Sequence, residues 1–245
     1  MARFALAFTA ALACSTSAWA QSAPADAKPE KWDVNAPPGM TTHKVPIAVD
    51  EGSWMNVDVA PDGRTIAFDL LGDIYIMAIE GGTPTRIAEG LAYEHQPRFS
   101  PDGNRIAFVS DRGGGDNIWL MNRDGSDKRQ LSKEEFRLLN QPSWSPDGQF
   151  IVAKKHFTTG RSLGTGEVWM YHVSGGAGVP LVKKPSERHQ KELGEPTFAP
   201  DGKGVYYTRN VTPGPIFEYA QDSNGDLFHI ERYDLNDGEV TTVAA

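Results

Sequence analysis

Six histidines, His43, His95, His156, His172, His189 and His229, are the side chains of this 245-residue sequence best suited to hold a transition metal or to move a proton near neutral pH. No two of them stand at close ligand spacing, which points to surface and strand-packing roles. A serine nucleophile has one candidate. Gly160-Arg-Ser-Leu-Gly164 matches the G-x-S-x-G pattern, but that pattern activates a serine where a strand enters a sharp turn and a helix leaves it. Here Gly164-Thr-Gly166 and a strand pattern follow, so Ser162 is expected in a loop between strands, without a catalytic role. Asp222-Ser-Asn-Gly-Asp226 places oxygen ligands at alternate positions, as a calcium loop does. Leu227 and Tyr233 occupy the positions where such a loop carries glycine and glutamate, so a polar turn is the expectation. No catalytic residue, cofactor site or metal site is therefore expected within this segment.

The elements that would position any site are set by a repeat. Pro-Asp-Gly occurs four times: Pro61-Asp62-Gly63, Pro101-Asp102-Gly103, Pro146-Asp147-Gly148 and Pro200-Asp201-Gly202, at spacings of 40, 45 and 54 residues. Proline presets φ, aspartate bonds the local backbone, and glycine accepts positive φ, so each copy predicts a type I turn followed by a left-handed glycine, a hairpin with a G1 bulge. In Gln96-Pro-Arg-Phe-Ser-Pro-Asp-Gly-Asn-Arg-Ile-Ala-Phe-Val-Ser110 the turn lies between strands at Gln96–Ser100 and Asn104–Ser110, the latter alternating Ile106 and Phe108 against Arg105 and Ala107. Strands at Asn117–Asn122 and Lys128–Ser132 complete a four-stranded antiparallel unit. The first repeat gives strands at Asn56–Ala60, Thr65–Leu70, Asp73–Ile79 and Thr85–Ala88. The third gives Gln141–Ser145, Phe150–Lys155, Glu167–Val173 and Pro180–Lys183, and the fourth Glu195–Ala199, Gly204–Arg209, Leu227–Leu235 and Val240–Val243. Phe136-Arg-Leu-Leu139 is at most one helical turn. A repeat of roughly 40–50 residues built from short strands predicts an all-β fold, a β-propeller of four-stranded blades.

His43–Gly52 resembles the outer strand Thr85-Arg-Ile-Ala-Glu-Gly90 and is expected as a stray outer strand without a blade, since the fourth blade already has Val240–Val243. Four blades plus one stray strand predict an arc, an incomplete ring with two uncovered blade faces, and hence the N-terminal part of a longer protein. Baring two such faces costs burial comparable to a domain's whole net stability. The loops between second and third strands, with insertions Phe157–Gly166 and Val211–Asp226, lie on the face opposite the Pro-Asp-Gly turns, together with the connection Lys184–Leu193. A binding face there would carry His95, Arg112, Arg161, Arg188, His189 and Tyr219.

The N-terminus reads as an export signal: Arg3, the apolar run Phe4–Ala13 and the small-x-small site Ala18-Trp19-Ala20, with cleavage after Ala20 and a periplasmic or secreted destination. That cleavage removes Cys14, the sole cysteine, and leaves 23 basic and 32 acidic residues, a formal charge of −9. Such a balance disfavours nucleic acid as a partner, and no other segment is long and apolar enough to span a bilayer. Residues 21–42 read as a disordered linker, in which Trp32 is a docking candidate, ahead of the repeat domain at 43–245.

Phe-Ser-Pro-Asp-Gly103 with Ser110-Asp-Arg-Gly-Gly-Gly-Asp-Asn-Ile-Trp-Leu-Met-Asn-Arg-Asp-Gly125 resembles the WD40-like PD40 repeat of TolB and of tricorn-type protease propellers. The resemblance covers about residues 43–245. The export signal, the lead Lys31-Trp-Asp-Val-Asn-Ala-Pro-Pro-Gly39 and the immediate repeat array resemble the start of secreted imidazolonepropionase-like amidohydrolases. That resemblance implies hydrolysis of non-peptide carbon–nitrogen bonds by a downstream domain holding a zinc-type divalent metal. The partners it implies are the remainder of the propeller and that domain. Two other readings stand beside it: a non-catalytic TolB-like propeller that binds a periplasmic protein or peptide, and the propeller of a tricorn or prolyl-oligopeptidase type serine peptidase.

Overall fold

The computed structural model describes residues 32–135, 138–158, 164–214 and 227–245. Sixteen strands form four sheets, each of four antiparallel strands in chain order. Blade 1 holds β1 (Val57–Val59), β2 (Thr65–Leu70), β3 (Asp73–Ala78) and β4 (Thr85–Ala88). Blade 2 holds β5 (Glu94–Phe99), β6 (Arg105–Ser110), β7 (Asn117–Asn122) and β8 (Arg129–Gln130). Blade 3 holds β9 (Leu138–Trp144), β10 (Phe150–Thr158), β11 (Gly164–His172) and β12 (Val179–Val182). Blade 4 holds β13 (Leu193–Phe198), β14 (Gly204–Asn210), β15 (Phe228–Asp234) and β16 (Val240–Ala244).

The turns form as their residues dictate. Gly63, Gly103, Gly148 and Gly202 take φ of 67°, 70°, 68° and 69°. The turn carboxylates accept backbone N–H bonds two residues on, from Arg64 to Asp62 at 2.8 Å and from Gln149 to Asp147 at 3.0 Å. The Ser100 and Ser145 hydroxyls donate to Asp102 and Asp147, and these bonds hold both carboxyls below the usual carboxylate range. The turns also stack: a Cβ on Gly103 would lie 3.5 Å from the Pro61 ring, on Gly148 3.8 Å from that of Pro101, and on Gly202 3.9 Å from that of Pro146. All four therefore occupy one end of the molecule.

The core is divided among the three junctions between blades. Ala67 and Ile74 of blade 1 pack with Ile106 and Phe108 of blade 2. Ala107 and Val109, on the opposite face of that same strand β6, pack with Leu139, Ile151 and Ala153 of blade 3. Val152 and Val168 in turn pack with Val205 and Tyr207 of blade 4. Successive side chains of a strand point to opposite faces, so a middle blade is buried on both sides. The end blades are not. Val57, Ile66, Phe68 and Met77 line an open groove of about 580 Å³ on blade 1, and Phe228 and Ile230 of blade 4 are 46% and 45% exposed. The four sheets make an incomplete propeller, an arc.

Three details correct the sequence reading. Residues 40–49 pair with no strand, and Val45, Ile47 and Val49 are 63%, 62% and 56% exposed; alternation makes a strand only where the backbone N–H and C=O groups find a partner. Leu138 and Leu139 are the first residues of β9, not of a helical turn. Both described ends of the insertion Phe157–Gly166 continue the hairpin, since Phe157 pairs with Thr165 and the ladder reaches Thr158 and Gly164, while residues 159–163 lie outside the described residues. Blade 4 holds that extension: the buried Thr165 hydroxyl donates to the Lys191 carbonyl at 2.8 Å, and Gly166 lies so close that a Cβ there would be 2.0 Å from the Leu193 carbonyl oxygen.

The N-terminal lead touches the body through Asn35, whose side-chain N–H donates to the Arg112 carbonyl at 3.3 Å, while Trp32 stays 59% exposed. The export signal at residues 1–20 and the linker up to residue 31 lie outside the described residues.

Candidate functional site

Two surfaces can be built from the strands upward: the end opposite the turns, and the channel wall formed by the first strand of each blade.

At the end opposite the turns, the structure separates the residues that the sequence groups into a binding face. Arg112 bridges blades 1 and 2. Its guanidinium meets Glu94, whose side chain is 0% exposed, at 2.5 Å and donates to the Glu89 carbonyl at 3.1 Å. Burial raises the Glu94 carboxyl above the usual range and Arg112 pulls it back down. Arg112 is thus a clamp between blades rather than a group offered to a ligand. His95 lies against the Tyr93 ring, 5.3 Å between centroids. Arg188, exposed, and His189, half-buried, stand in the connection from blade 3 to blade 4, with the His189 N–H donated to the Ser186 carbonyl. No hydrogen bond or ion pair joins these two pairs among the described residues. Arg161, Tyr219, Ser162 and Asp222–Asp226 lie outside the described residues.

Burial lowers the His95 imidazole below its usual value, against the opposing pull of Asp116, Asp69 and Asp111. Burial thus favours the uncharged ring. Its NMR titration is expected to show a midpoint below 6.5, and one at or above that value contradicts the burial account. The unfolded chain takes up this proton first as pH falls, so the His95 contribution to stability is present above the ordinary histidine range and is lost as pH drops through the folded value.

Between the predicted pairs lies a cleft of about 710 Å³ that the sequence did not point to. Lys155 forms its floor: the ammonium meets Glu134 at 2.9 Å and stands 3.8 Å from the centre of the Trp169 ring. Tyr171 donates to the other Glu134 oxygen at 3.2 Å, and the Trp169 indole donates to Glu167 at 2.9 Å. Lys184 closes the rim over the Phe157 ring. Among the described residues no group of three His, Cys, Asp or Glu side chains is placed to hold a metal ion. The charges are paired and the aromatic faces are turned to cations. Such a cleft can bind and orient a polar segment.

The channel wall carries a second pattern. Gln96, Gln141 and Glu195, each five residues before a turn proline and each followed by proline, have φ of 54°, 55° and 54°. These left-handed backbones turn an N–H toward the preceding blade. Gln96 donates to Asp69 at 2.7 Å, Gln141 to the Gln96 side-chain oxygen at 2.6 Å, and Glu195 to the Gln141 side-chain oxygen at 2.9 Å. Beside this relay Phe99 donates to Asp58 at 2.7 Å and Phe198 to the Ser143 hydroxyl at 3.3 Å. A polar cavity of about 520 Å³ opens along the wall, lined by Asp58, Arg98, Gln141, Ser143, Glu195 and Thr197. The readable signal is the Gln-Pro or Glu-Pro dipeptide ahead of three of the turns. Pre-proline residues rarely adopt positive φ, so the sequence alone points away from this geometry.

Stacked four-stranded blades, with a polar inner wall and a cleft on the loop end, define an incomplete β-propeller. The PD40 family, the TolB beta propeller domain, matches residues 40–226, and the chain belongs to that family. It is 27% identical over 190 residues to the uncharacterized peptidase YuxL of Bacillus subtilis, covering 62% of this chain and 29% of YuxL. Its fold is that of TolB from Acinetobacter baumannii (TM-score 0.53, 20% identity, 76% of this chain and 40% of that one). It is also that of a puromycin-hydrolyzing peptidase from Mycobacterium tuberculosis (TM-score 0.56, 15% identity, 80% of this chain and 30% of that one). The chain spans less than a third of YuxL's length. No helix among the described residues is long and apolar enough to cross a membrane.

Proposed function

We propose that the chain is the propeller part of an exported serine peptidase, akin in its repeats to the uncharacterized peptidase YuxL, in which it binds and orients the substrate while a serine outside residues 1–245 performs hydrolysis. The observation that carries this reading is the kinship with a peptidase over 190 residues of repeat. The loop-end cleft, with paired charges on aromatic floors, suits the polar backbone and side chains of a peptide. Export rests on the Arg3–Ala20 signal. None of the three relatives described above is an amidohydrolase, and the peptidase reading takes precedence over the one suggested by the N-terminal lead.

The test is fluorophosphonate labelling of the full natural protein. One serine beyond Ala245 is expected to be labelled, and labelling is expected to be unchanged by Ser162→Ala. Hydrolysis that resists the probe and is abolished by a chelator would return the reading to a metal-dependent amidohydrolase. A protein that hydrolyses nothing and retains a periplasmic protein instead would make it a TolB-like binding propeller.

A further inference from the structure

The three junctions between blades share a direction. The earlier blade offers a side-chain acceptor and the later blade offers the left-handed N–H: Asp69 on the second strand of blade 1 accepts from Gln96, and at the next two junctions the first-strand side chains of Gln96 and Gln141 accept from Gln141 and Glu195. At the turn end the earlier blade presents proline and the later blade glycine, in the pairs Pro61 and Gly103, Pro101 and Gly148, Pro146 and Gly202. Blade 1 shows what an end looks like, because nothing lies within 4 Å of a Cβ added to Gly63.

Blade 4 carries every feature of an earlier blade with nothing seated on it. The Glu195 side chain occupies the place from which Gln96 and Gln141 accept, and it is exposed. Thr197, the counterpart of Ser143, which accepts the Phe198 N–H, is exposed too. Phe228 and Ile230 stand half-exposed on the face opposite Tyr233, the side chain that packs toward blade 3.

We propose that this open face is a fourth junction of the same kind. Its occupant is a further blade of this repeat, whose inner-strand N–H, five residues before its own turn proline, donates to the Glu195 carboxylate. The relay starts from the Asp69 carboxylate, is neutral at Gln96 and Gln141, and ends in a carboxylate again. A bond from N–H to an ionised acceptor is about twice as strong as a neutral one, so Glu195 fixes the register of the incoming strand more firmly than the two glutamines do. The proposal rests on the reading of this chain as part of a longer propeller protein, but not on the chemistry of its reaction.

The experiment compares amide hydrogen exchange in the full natural protein bearing Glu195→Ala, Glu195→Gln or, as a reference for an acceptor already seen at work, Gln96→Ala. Glu195→Ala is expected to speed exchange of the β13 amides and of the next inner strand about tenfold, the size of effect a lost hydrogen bond gives. Glu195→Gln is expected to keep most of the protection. Exchange unchanged by Glu195→Ala while Gln96→Ala raises it at its own junction would overturn the assignment. So would a glutamine variant as damaged as the alanine one. Sedimentation of residues 1–245 supplies the other arm: a dimer that Glu195→Ala dissociates would make a second copy the occupant and defeat the further-blade proposal. A serine that fails to label leaves each of these results intact.

Discussion

Arg112→Ala is expected to lower the free energy of unfolding by about 3–5 kcal/mol, the usual cost of stranding one half of a buried ion pair. The Glu94 side chain is 0% exposed, and Arg112 supplies both contacts made to it, through Nε at 3.0 Å and a terminal nitrogen at 2.5 Å. One Glu94 oxygen, Oε2, is already buried without a partner. Removing the guanidinium leaves a buried carboxylate with neither of its two hydrogen-bond donors and only the Lys128 charge left to stabilise it. The loss is a large share of the ~5–15 kcal/mol that holds a domain together. Urea denaturation read by tryptophan fluorescence measures it. Glu94→Gln added to Arg112→Ala should restore much of the deficit, because a neutral amide is far less costly to bury than a charge.

The sign of the pH dependence separates this account from simple loss of packing. Glu94 has a folded pKa raised by burial. The folded state therefore binds its proton more tightly, and this group's contribution to stability falls as pH rises from the ordinary carboxylate range through the raised value. Without Arg112 the folded value climbs further. The variant should then recover part of its deficit as pH is lowered from neutrality to about 5, whereas a packing defect would stay constant. A deficit below about 1 kcal/mol, the ordinary worth of a surface pair, would show that the clamp is not a clamp.

Gly125→Ala is expected to cost about 2–4 kcal/mol, through a left-handed backbone and an overpacked contact together. Gly125 has φ of 85° in the turn from β7 to β8, and a Cβ there would stand 2.3 Å from the Ile87 carbonyl oxygen on the outer strand of blade 1. That atom is backbone and cannot swing aside. Gly63→Ala is the matched comparison: φ is 67° and nothing lies within 4 Å. It should cost only the conformational part, about 1 kcal/mol. The difference between the two variants isolates the approach of one blade to the next. Equal losses would mean that backbone conformation alone requires glycine at 125.

The sixteen strands were legible because their causes are local. Pro-Asp-Gly makes a hairpin wherever two strand-forming runs flank it, and alternation such as Ile106, Phe108 against Ala107, Val109 marks a strand before its neighbours are known. The readings that failed depend on a partner. Val45, Ile47 and Val49 alternate as a strand should, yet residues 40–49 pair with no strand and these side chains stay exposed. Phe157–Gly166 looks like a loop by composition, yet the hairpin continues into it as far as Thr158 and Gly164, with Lys191 and Leu193 packed against Thr165 and Gly166.

The candidate site was legible in its place and not in its residues. The loop end does carry a cleft, but Lys155 and Trp169 of blade 3 build it with Glu134 of the connection from blade 2. Arg112 reads as a surface cation because nothing near it in sequence shows that Glu94, 18 residues earlier, is buried beside it. The relay through Gln96, Gln141 and Glu195 contradicts the usual backbone of a residue before proline, and only three successive blades in register make such a geometry worth its strain.

The sequence by itself determined the repeat, its turns, the four blades and the open arc, since these follow from φ preferences, hydrogen-bonding side chains and a two-residue period acting over a few residues at a time. Tertiary structure alone decided which charges are clamps, which backbone N–H groups cross between blades and which carboxylate is left facing outward. Those contacts join atoms 18 to 54 residues apart, and their energies depend on burial and distance that exist only once the blades have stacked.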